Sequence, residues 1–307
     1  MARNLSLLPH LLMIFILSFS LSNAQHQTTK PTTLFLIGID GMSVDGFTTA
    51  HTPNMDKLKV NGASSLKARG VMPTKSGPNW GSMLLGAGPE QHGITSNDWR
   101  VDNYTIAPTI QDEDGYFPSI FDVLRKAHPT EKLAVFHEWE TINKLFNNKA
   151  VDVVVKTEEM NETLNKAFDY FVEHKPLFVF IHLDAIDHAG HEFGHGTKEY
   201  YHEIEVLDKA LGTFFKKLED YNKKEDIAAS ILITSDHGGV GKEHGGSTMA
   251  EIEIPWLLVA PGVAQGKTIT QPINTYDTPA TIAWLLGAEQ NIPIQWTGKP
   301  VKTVMKD

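Results

Sequence analysis

From Thr32 onward, short apolar runs alternate with stretches of helical periodicity. Leu34 to Ile39 (LFLIGI) reads as a buried strand that stops at Asp40-Gly41. Ser65 to Val71, Lys132 to His137, Val151 to Val155, Leu177 to Leu183 (LFVFIHL), Ile227 to Thr234 (IAASILIT) and Trp256 to Ala260 read as further strands. Between them the spacing predicts helices over Asn54 to Val60, Asn79 to Leu85, Ser119 to Lys126, Glu158 to His174, Glu199 to Leu218 and Thr278 to Leu286. Strands that alternate with helices imply an α/β fold: a mostly parallel central sheet with helices on both faces. Such sheets bind ligands at the carboxyl ends of their strands. Asp40, Asp187 and Asp236 each follow an apolar strand, which would gather three carboxylates on one edge. They would repel one another unless cations sat among them.

The chain before this alternation has a different character. Arg3, the apolar run Leu7 to Leu21 and the small residues of Ser22-Asn23-Ala24 read as a signal peptide over residues 1–24, cut after Ala24. The alternative is a membrane anchor, against which the run is short, carries His10, and leads into the polar stretch Gln25 to Thr33. The expected organisation is then a linker over 25–32 and a single catalytic domain over 33–307. The expected product is secreted or periplasmic, with no membrane span after signal removal. Export usually permits disulfides, yet the 307 residues include no cysteine, so stability must come from a core and from any bound metal. A net charge of −10 supplies no basic surplus for phosphate backbones, so no stable nucleic-acid complex is expected. Asn103-Tyr104-Thr105 and Asn161-Glu162-Thr163 are glycosylation sequons.

Four segments carry possible chemistry. Asp187 and His191 are four apart, which on a helical turn offers an oxygen and a nitrogen to one metal ion; the segment also suits a polar loop. Asp236-His237-Gly238-Gly239 follows an apolar strand and reads either as a ligand pair or as a glycine turn. His244 follows shortly after. Ser76, in Pro73-Thr74-Lys75-Ser76-Gly77-Pro78-Asn79-Trp80, precedes a predicted helix, where free N–H groups and the helix dipole favour a phosphate oxyanion. A serine there is, by itself, more often an N-cap. Five histidines lie between His182 and His202, with His182 expected in or at the end of a strand and His202 on a helix face. Asp and His ligands without Cys suit zinc in an open catalytic site, and also manganese or iron.

Taken together and in order, these motifs resemble the alkaline phosphatase superfamily, in particular its type I phosphodiesterase/nucleotide pyrophosphatase branch. The resemblance covers roughly residues 33 to 262, from Gly38-Ile39-Asp40-Gly41 and Thr52-Pro53-Asn54 through the Ser76 segment, Gly86-Ala87-Gly88-Pro89, His92-Gly93-Ile94 and Asn97 to the Asp187, Asp236 and His244 motifs. It implies two divalent metal ions, most naturally zinc. Asp40, Asp236, His237 and Ser76 would hold one ion, and Asp187, His191 and His244 the other. Ser76 would be the covalent nucleophile. Asn97, helped by the backbone after Ser76, would hold a phosphate oxygen. The substrate would be a small phosphoester or nucleotide.

This chain departs from the branch at three points. Its nucleophile position is Ser rather than Thr, which also fits a phosphomonoesterase. Trp80 stands where a sulfatase has Arg. Only seven positions separate His237 from His244, so the substrate-selecting region is small, and Trp99 to Tyr116 is expected to serve as part of its rim. A metal-stabilised binding protein without turnover is the reading from another class.

Overall fold

Along β1 (Thr33–Ile39) every side chain is buried, which a strand achieves only when both faces of its sheet are covered. The computed structural model describes residues 33–306, so the expected signal peptide and linker lie outside the described residues. The other strands are β2 (Ala63–Arg69), β3 (Leu133–His137), β4 (Val153–Lys156), β5 (Phe178–Leu183), β6 (Ala229–Ser235), β7 (Glu253–Val259) and β8 (Lys267–Thr268). They form one sheet in the order β4-β3-β5-β1-β6-β7-β2-β8. It is mostly parallel, as expected; β7 runs antiparallel to both β6 and β2.

The helices are α1 (Val44–Thr49), α2 (Pro53–Asn61), α3 (Ser76–Leu85), α4 (Pro89–His92), α5 (Ile120–Ala127), α6 (Met160–His174), α7 (Ala185–Phe193), α8 (Lys198–Glu225), α9 (Met249–Ile252) and α10 (Asp277–Leu285). The period-2 alternation of each central strand sorts its side chains between two cores. Leu34, Leu36, Phe178, Phe180 and Leu232 join one, with Trp80 of α3, Phe121 of α5 and Ile282 of α10. Phe35, Ile37, Val179, Ile181 and Ile233 join the other, against Phe171 of α6 and the stripe Ile204, Leu207, Leu211, Phe214 and Leu218 of α8. That stripe steps by three and four residues, the helical period.

The Thr52-Pro53-Asn54 motif is architectural. Thr52 makes no side-chain cap on α2; the buried Asp208 of α8 accepts from the Asn54 and Met55 N–H groups instead. Several short elements escaped the periodicity: α1, α4, α9 and β8 carry too few residues to show a period. Among the described residues no helix is long and apolar enough to cross a membrane. Asn103 and Asn161 are both exposed.

Candidate active site

The sheet delivers two carboxylates side by side. Asp40 follows β1 and Asp236 follows β6, and these strands pair in parallel from Thr33↔Ala229 to Ile39↔Ser235. The turns are tied together: the Gly41 N–H donates to Asp236 Oδ1 at 3.1 Å, and the Met42 N–H donates to Ser235 Oγ at 3.0 Å. Gly41 sits at φ 70°, where a side chain would strike Asp187. Asp187 itself departs from expectation. It is not at a strand end but in the first turn of α7, three residues beyond Asp184, which directly follows β5. The helical turn, rather than the polar loop, is the conformation that sets Asp187 beside His191.

Ser76 is the first residue of α3, and the N-cap is Lys75, whose side chain makes no cap bond. The capping alternative for Ser76 is therefore absent, and its hydroxyl lies 3.2 Å from His237 Nε2. The loop before it is stitched by its neighbours. Asn79 Oδ1 accepts from the Val71 N–H at 2.6 Å, and its amide donates to the carbonyls of Val71, Pro73 and Lys75. Thr74 Oγ1 donates to the Gly246 carbonyl and accepts from the Gly245 N–H, which pins the His244 loop against the same segment.

Three histidines share one orientation. Nδ1 of His237 faces the Gly238 carbonyl at 2.9 Å, Nδ1 of His191 the Lys242 carbonyl at 2.8 Å, and Nδ1 of His244 the Thr74 carbonyl at 2.8 Å. A carbonyl only accepts, so Nδ1 carries the hydrogen and Nε2 presents a lone pair. Those lone pairs meet carboxylate oxygens: His237 Nε2 is 3.2 Å from Asp236 Oδ2 and 3.4 Å from Asp40 Oδ1, and His191 Nε2 is 3.4 Å from Asp187 Oδ2. Acceptors are thus set against acceptors. Asp40 Oδ1, Asp187 Oδ1 and Asp236 Oδ2 are all buried without a hydrogen-bond partner. The ligand atoms of Asp40, Asp236 and His237 lie within 4.8 Å of one another, as do those of Asp187, His191 and His244. A cation within each group satisfies both kinds of acceptor, so the donor sets fit divalent metal ions. The electrostatics agree. Burial, then the Asp236 charge, raises the Asp40 carboxyl above its usual range, and burial with Asp187 raises Asp236 well above it.

A cavity of about 250 Å³ opens onto these groups. Ser76, Asn97, Trp139 and His188 line it, together with Asp40, Asp187, His191 and His244. Larger cavities, of about 640 and 570 Å³, lie between α2 and α8 and beside β2, and neither carries such a cluster, so the small one is the candidate site. Among the described residues, no lysine or arginine lines the small cavity.

Residues 34–245 match the family described as type I phosphodiesterase/nucleotide pyrophosphatase. The chain belongs to that family. It is 26% identical over 221 residues to ectonucleotide pyrophosphatase/phosphodiesterase family member 3 of Bos taurus, which covers 67% of this chain and 24% of the relative. It is 26% identical over 217 residues to a venom phosphodiesterase of Macrovipera lebetinus, covering 64% of this chain and 25% of that protein. The chain thus spans about a quarter of the length of the curated relatives it matches. The fold is shared with murine ectonucleotide pyrophosphatase/phosphodiesterase 5, solved in an inactive form in complex with AMP, at TM-score 0.75 and 15% identity over 89% of this chain and 100% of that one. It is shared also with a mutant of the alkaline phosphatase PafA, at TM-score 0.73 and 12% identity, with 90% and 99% covered.

Within this type I phosphodiesterase fold, every residue expected at the site lies around the one cavity or directly beside its wall, though not each as expected. Asn97 Oδ1 accepts from the Gly77 N–H at 2.8 Å. The Gly77 N–H, which follows Ser76, thus donates to Asn97, where help to a phosphate oxygen was expected of the backbone at this point. The bond fixes which end of the amide faces Gly77, and leaves Nδ2 as the free donor. The rim also differs. Trp139, from the loop after β3, walls the cavity, whereas Trp99 is buried against Tyr116 and no residue from Trp99 to Tyr116 lines it.

Sequence reasoning gave no role to Trp80, His182, Asp184, His188 or Trp139. One signal was present: His182 is a lone imidazole at the carboxyl end of the apolar strand LFVFIHL. His188 pairs with Asp184 at 3.1 Å, and that hydrogen bond raises its imidazole to about 9. His202 stands exposed on α8, as expected for a helix face.

Proposed function

We propose that this chain is a secreted two-metal phosphoric-ester hydrolase of phosphodiesterase/nucleotide pyrophosphatase type, acting through a covalent intermediate on Ser76. The observation that carries the reading is the common inward orientation of His191, His237 and His244, with three unpartnered carboxylate oxygens opposite them and the Ser76 hydroxyl at the junction. Asp40, Asp236, His237 and Ser76 hold one ion; Asp187, His191 and His244 hold the other. Zinc suits these N and O ligands. When bound, the ions lower the pKa of a hydroxyl or water and neutralise charge on the phosphoryl oxygens.

The chain's own groups do the rest. Ser76 Oγ gives up its proton and attacks phosphorus, and the bond to the leaving oxygen breaks, that oxygen departing with a proton. A phosphoryl-serine remains that, from a diester, still carries the second ester group as a nucleotidyl-serine does. Water then attacks that phosphorus from the vacated side and releases Ser76. Asn97 Nδ2, held by the Gly77 contact, donates to a non-bridging oxygen. A cavity without lysine or arginine favours a diester, with its single negative charge, over a monoester dianion that calls for a cationic clamp. The AMP complex of the murine relative supports a nucleotide as the kind of molecule bound, and dinucleotides or nucleotide anhydrides offer a singly charged phosphate of the diester kind. Residues 33–307 form one catalytic domain, residues 1–24 act as an export signal, and 25–32 link the two.

The test compares Ser76→Ala with the parent on bis(4-nitrophenyl) phosphate and on 4-nitrophenyl phosphate. Turnover of the diester should dominate in the parent and vanish in the variant, while zinc content holds. Persistent turnover by Ser76→Ala sinks the covalent mechanism, and a large monoester preference sinks the diesterase reading.

A further inference from the structure

Asp40 is gripped from behind by two side chains outside both cation groups. The Trp80 indole N–H donates to Asp40 Oδ2 at 2.8 Å, and His182 Nε2 lies 3.1 Å from the same oxygen. All three side chains are buried. We propose that Trp80 and His182 are positioning residues: they occupy Oδ2 with two N–H donors and leave Oδ1 alone to bind a cation. The inference rests on the cation-binding role proposed for Asp40.

The fold is cut to allow this grip. Gly38 pairs with His182 across β1 and β5, and a Cβ on Gly38 would drive into the Trp80 ring. With no side chain at 38, the indole lies across β1 and reaches the carboxylate two residues on. The Trp80 and His182 rings meet edge to face, with centroids 4.9 Å apart, so each fixes the other. Oδ1 makes no hydrogen bond and faces His237 Nε2 at 3.4 Å. A carboxylate free to rotate presents either oxygen or both; one whose Oδ2 accepts two N–H bonds presents a single oxygen in one direction. His182 serves this purpose with Nε2 as donor, which leaves Nδ1 buried without a partner. A buried acceptor without a partner is a cost to folding, and the site bears it.

A different arrangement is conceivable from the same atoms, because Asp40, His182 and Asp184 also bring ligand atoms within 4.8 Å of one another. A third cation there would have to break two existing contacts. Asp184 pairs with His188 at 3.1 Å, and Asp40 Oδ2 already accepts the indole N–H.

The experiment measures zinc stoichiometry by elemental analysis and zinc affinity by chelator competition, in the whole chain and in His182→Phe, His182→Gln and Trp80→Phe. Circular dichroism of the zinc-free proteins reports folding. The parent should bind two ions. His182→Phe and Trp80→Phe should lose about 10- to 100-fold in affinity for one ion only. His182→Gln, whose amide N–H can stand near the Nε2 position, should recover most of that loss, which a merely space-filling role does not predict. If His182→Phe does not fold, Trp80→Phe and His182→Gln decide by the same readout. Two tight ions in Trp80→Phe and His182→Phe, or a Gln variant no better than Phe, would overturn the proposal. So would a third ion in the parent that His182→Phe alone removes. A parent that binds no zinc overturns the cation site itself, a separate failure.

Discussion

The two cation groups differ in how they are built. In the inner group, the side chains of Asp40, Asp236 and His237 are 2%, 0% and 0% exposed, and all three follow adjacent central strands. In the outer group, Asp187 and His244 are 11% and 8% exposed and His191 is 41%. Its ligands come from helix α7 and from a loop pinned by Thr74. The stacked rings of His237 and His244, with centroids 3.7 Å apart, join the groups. An inner site on strand ends, backed by Trp80 and His182, is buried and hydrogen-bonded from behind. An outer site on a helix and a loop has water on one side and a scaffold that opens more easily. The difference predicts that an ion in the inner group would be held as part of the core, while one in the outer group would exchange more readily.

The comparison can be broken most severely at its inner member. Asp236→Ala should lower kcat/KM for a phosphodiester by at least about 10³-fold, because it removes a proposed metal ligand next to the proposed nucleophile. A decline of less than tenfold would mean that the inner group is not at the chemistry. A smaller effect separates the groups in time. Dilution into excess chelator should release two ions in two phases, the outer roughly tenfold or more faster, and His191→Ala should abolish the fast phase alone. One indivisible phase would erase the distinction drawn above.

The third test addresses the rigidity of the inner site. Gly38→Ala should cost about 1–3 kcal/mol of stability, since the new methyl displaces the Trp80 indole. A denaturant midpoint equal to the parent's counts against the indole as a fixed backstop.

The smallest effect is an acid limit that belongs to neither group. His92 is buried, accepts from the Ile94 N–H through Nδ1, and therefore donates through Nε2 to Ser82 Oγ. Burial pushes its imidazole down to about 3. The folded state holds it neutral, whereas an unfolded chain protonates it below about pH 6.5. Its contribution is thus complete above pH 6.5 and is lost as pH falls toward 3, at about 1.4 kcal/mol per pH unit. At pH 5.5 the denaturant midpoint of the parent should fall accordingly, and that of His92→Asn should fall less. His137 and His195, lowered to about 4 chiefly by burial, add to the same slope. Midpoints that do not move between pH 7 and 5.5 contradict the assignment.

Much of this molecule is written in local pattern. Leu34 to Ile39, Leu177 to Leu183 and Ile227 to Thr234 announce central strands because both of their faces are buried, and the aspartates after the first and last mark the carboxyl edge. Asp187 was harder. Its segment is polar enough for a loop, and only its packing against α8 and the Gly41 turn makes it a helix face. Trp80 was legible only as the absence of an arginine, since nothing near it in sequence shows that its N–H reaches Asp40, forty residues away.

What the sequence determined alone was the α/β alternation, the strand ends that carry Asp40 and Asp236, and the residue types that suit divalent metal ions. These depend on periodicity and on side-chain chemistry, both of which are local. The tertiary structure decided the direction of each imidazole, the use of the Gly77 N–H on Asn97, and the grip of Trp80 and His182 on one carboxylate oxygen. Most of these are hydrogen bonds between groups far apart in the chain that only folding brings to within about 3 Å, and a bond of that kind has no period to read.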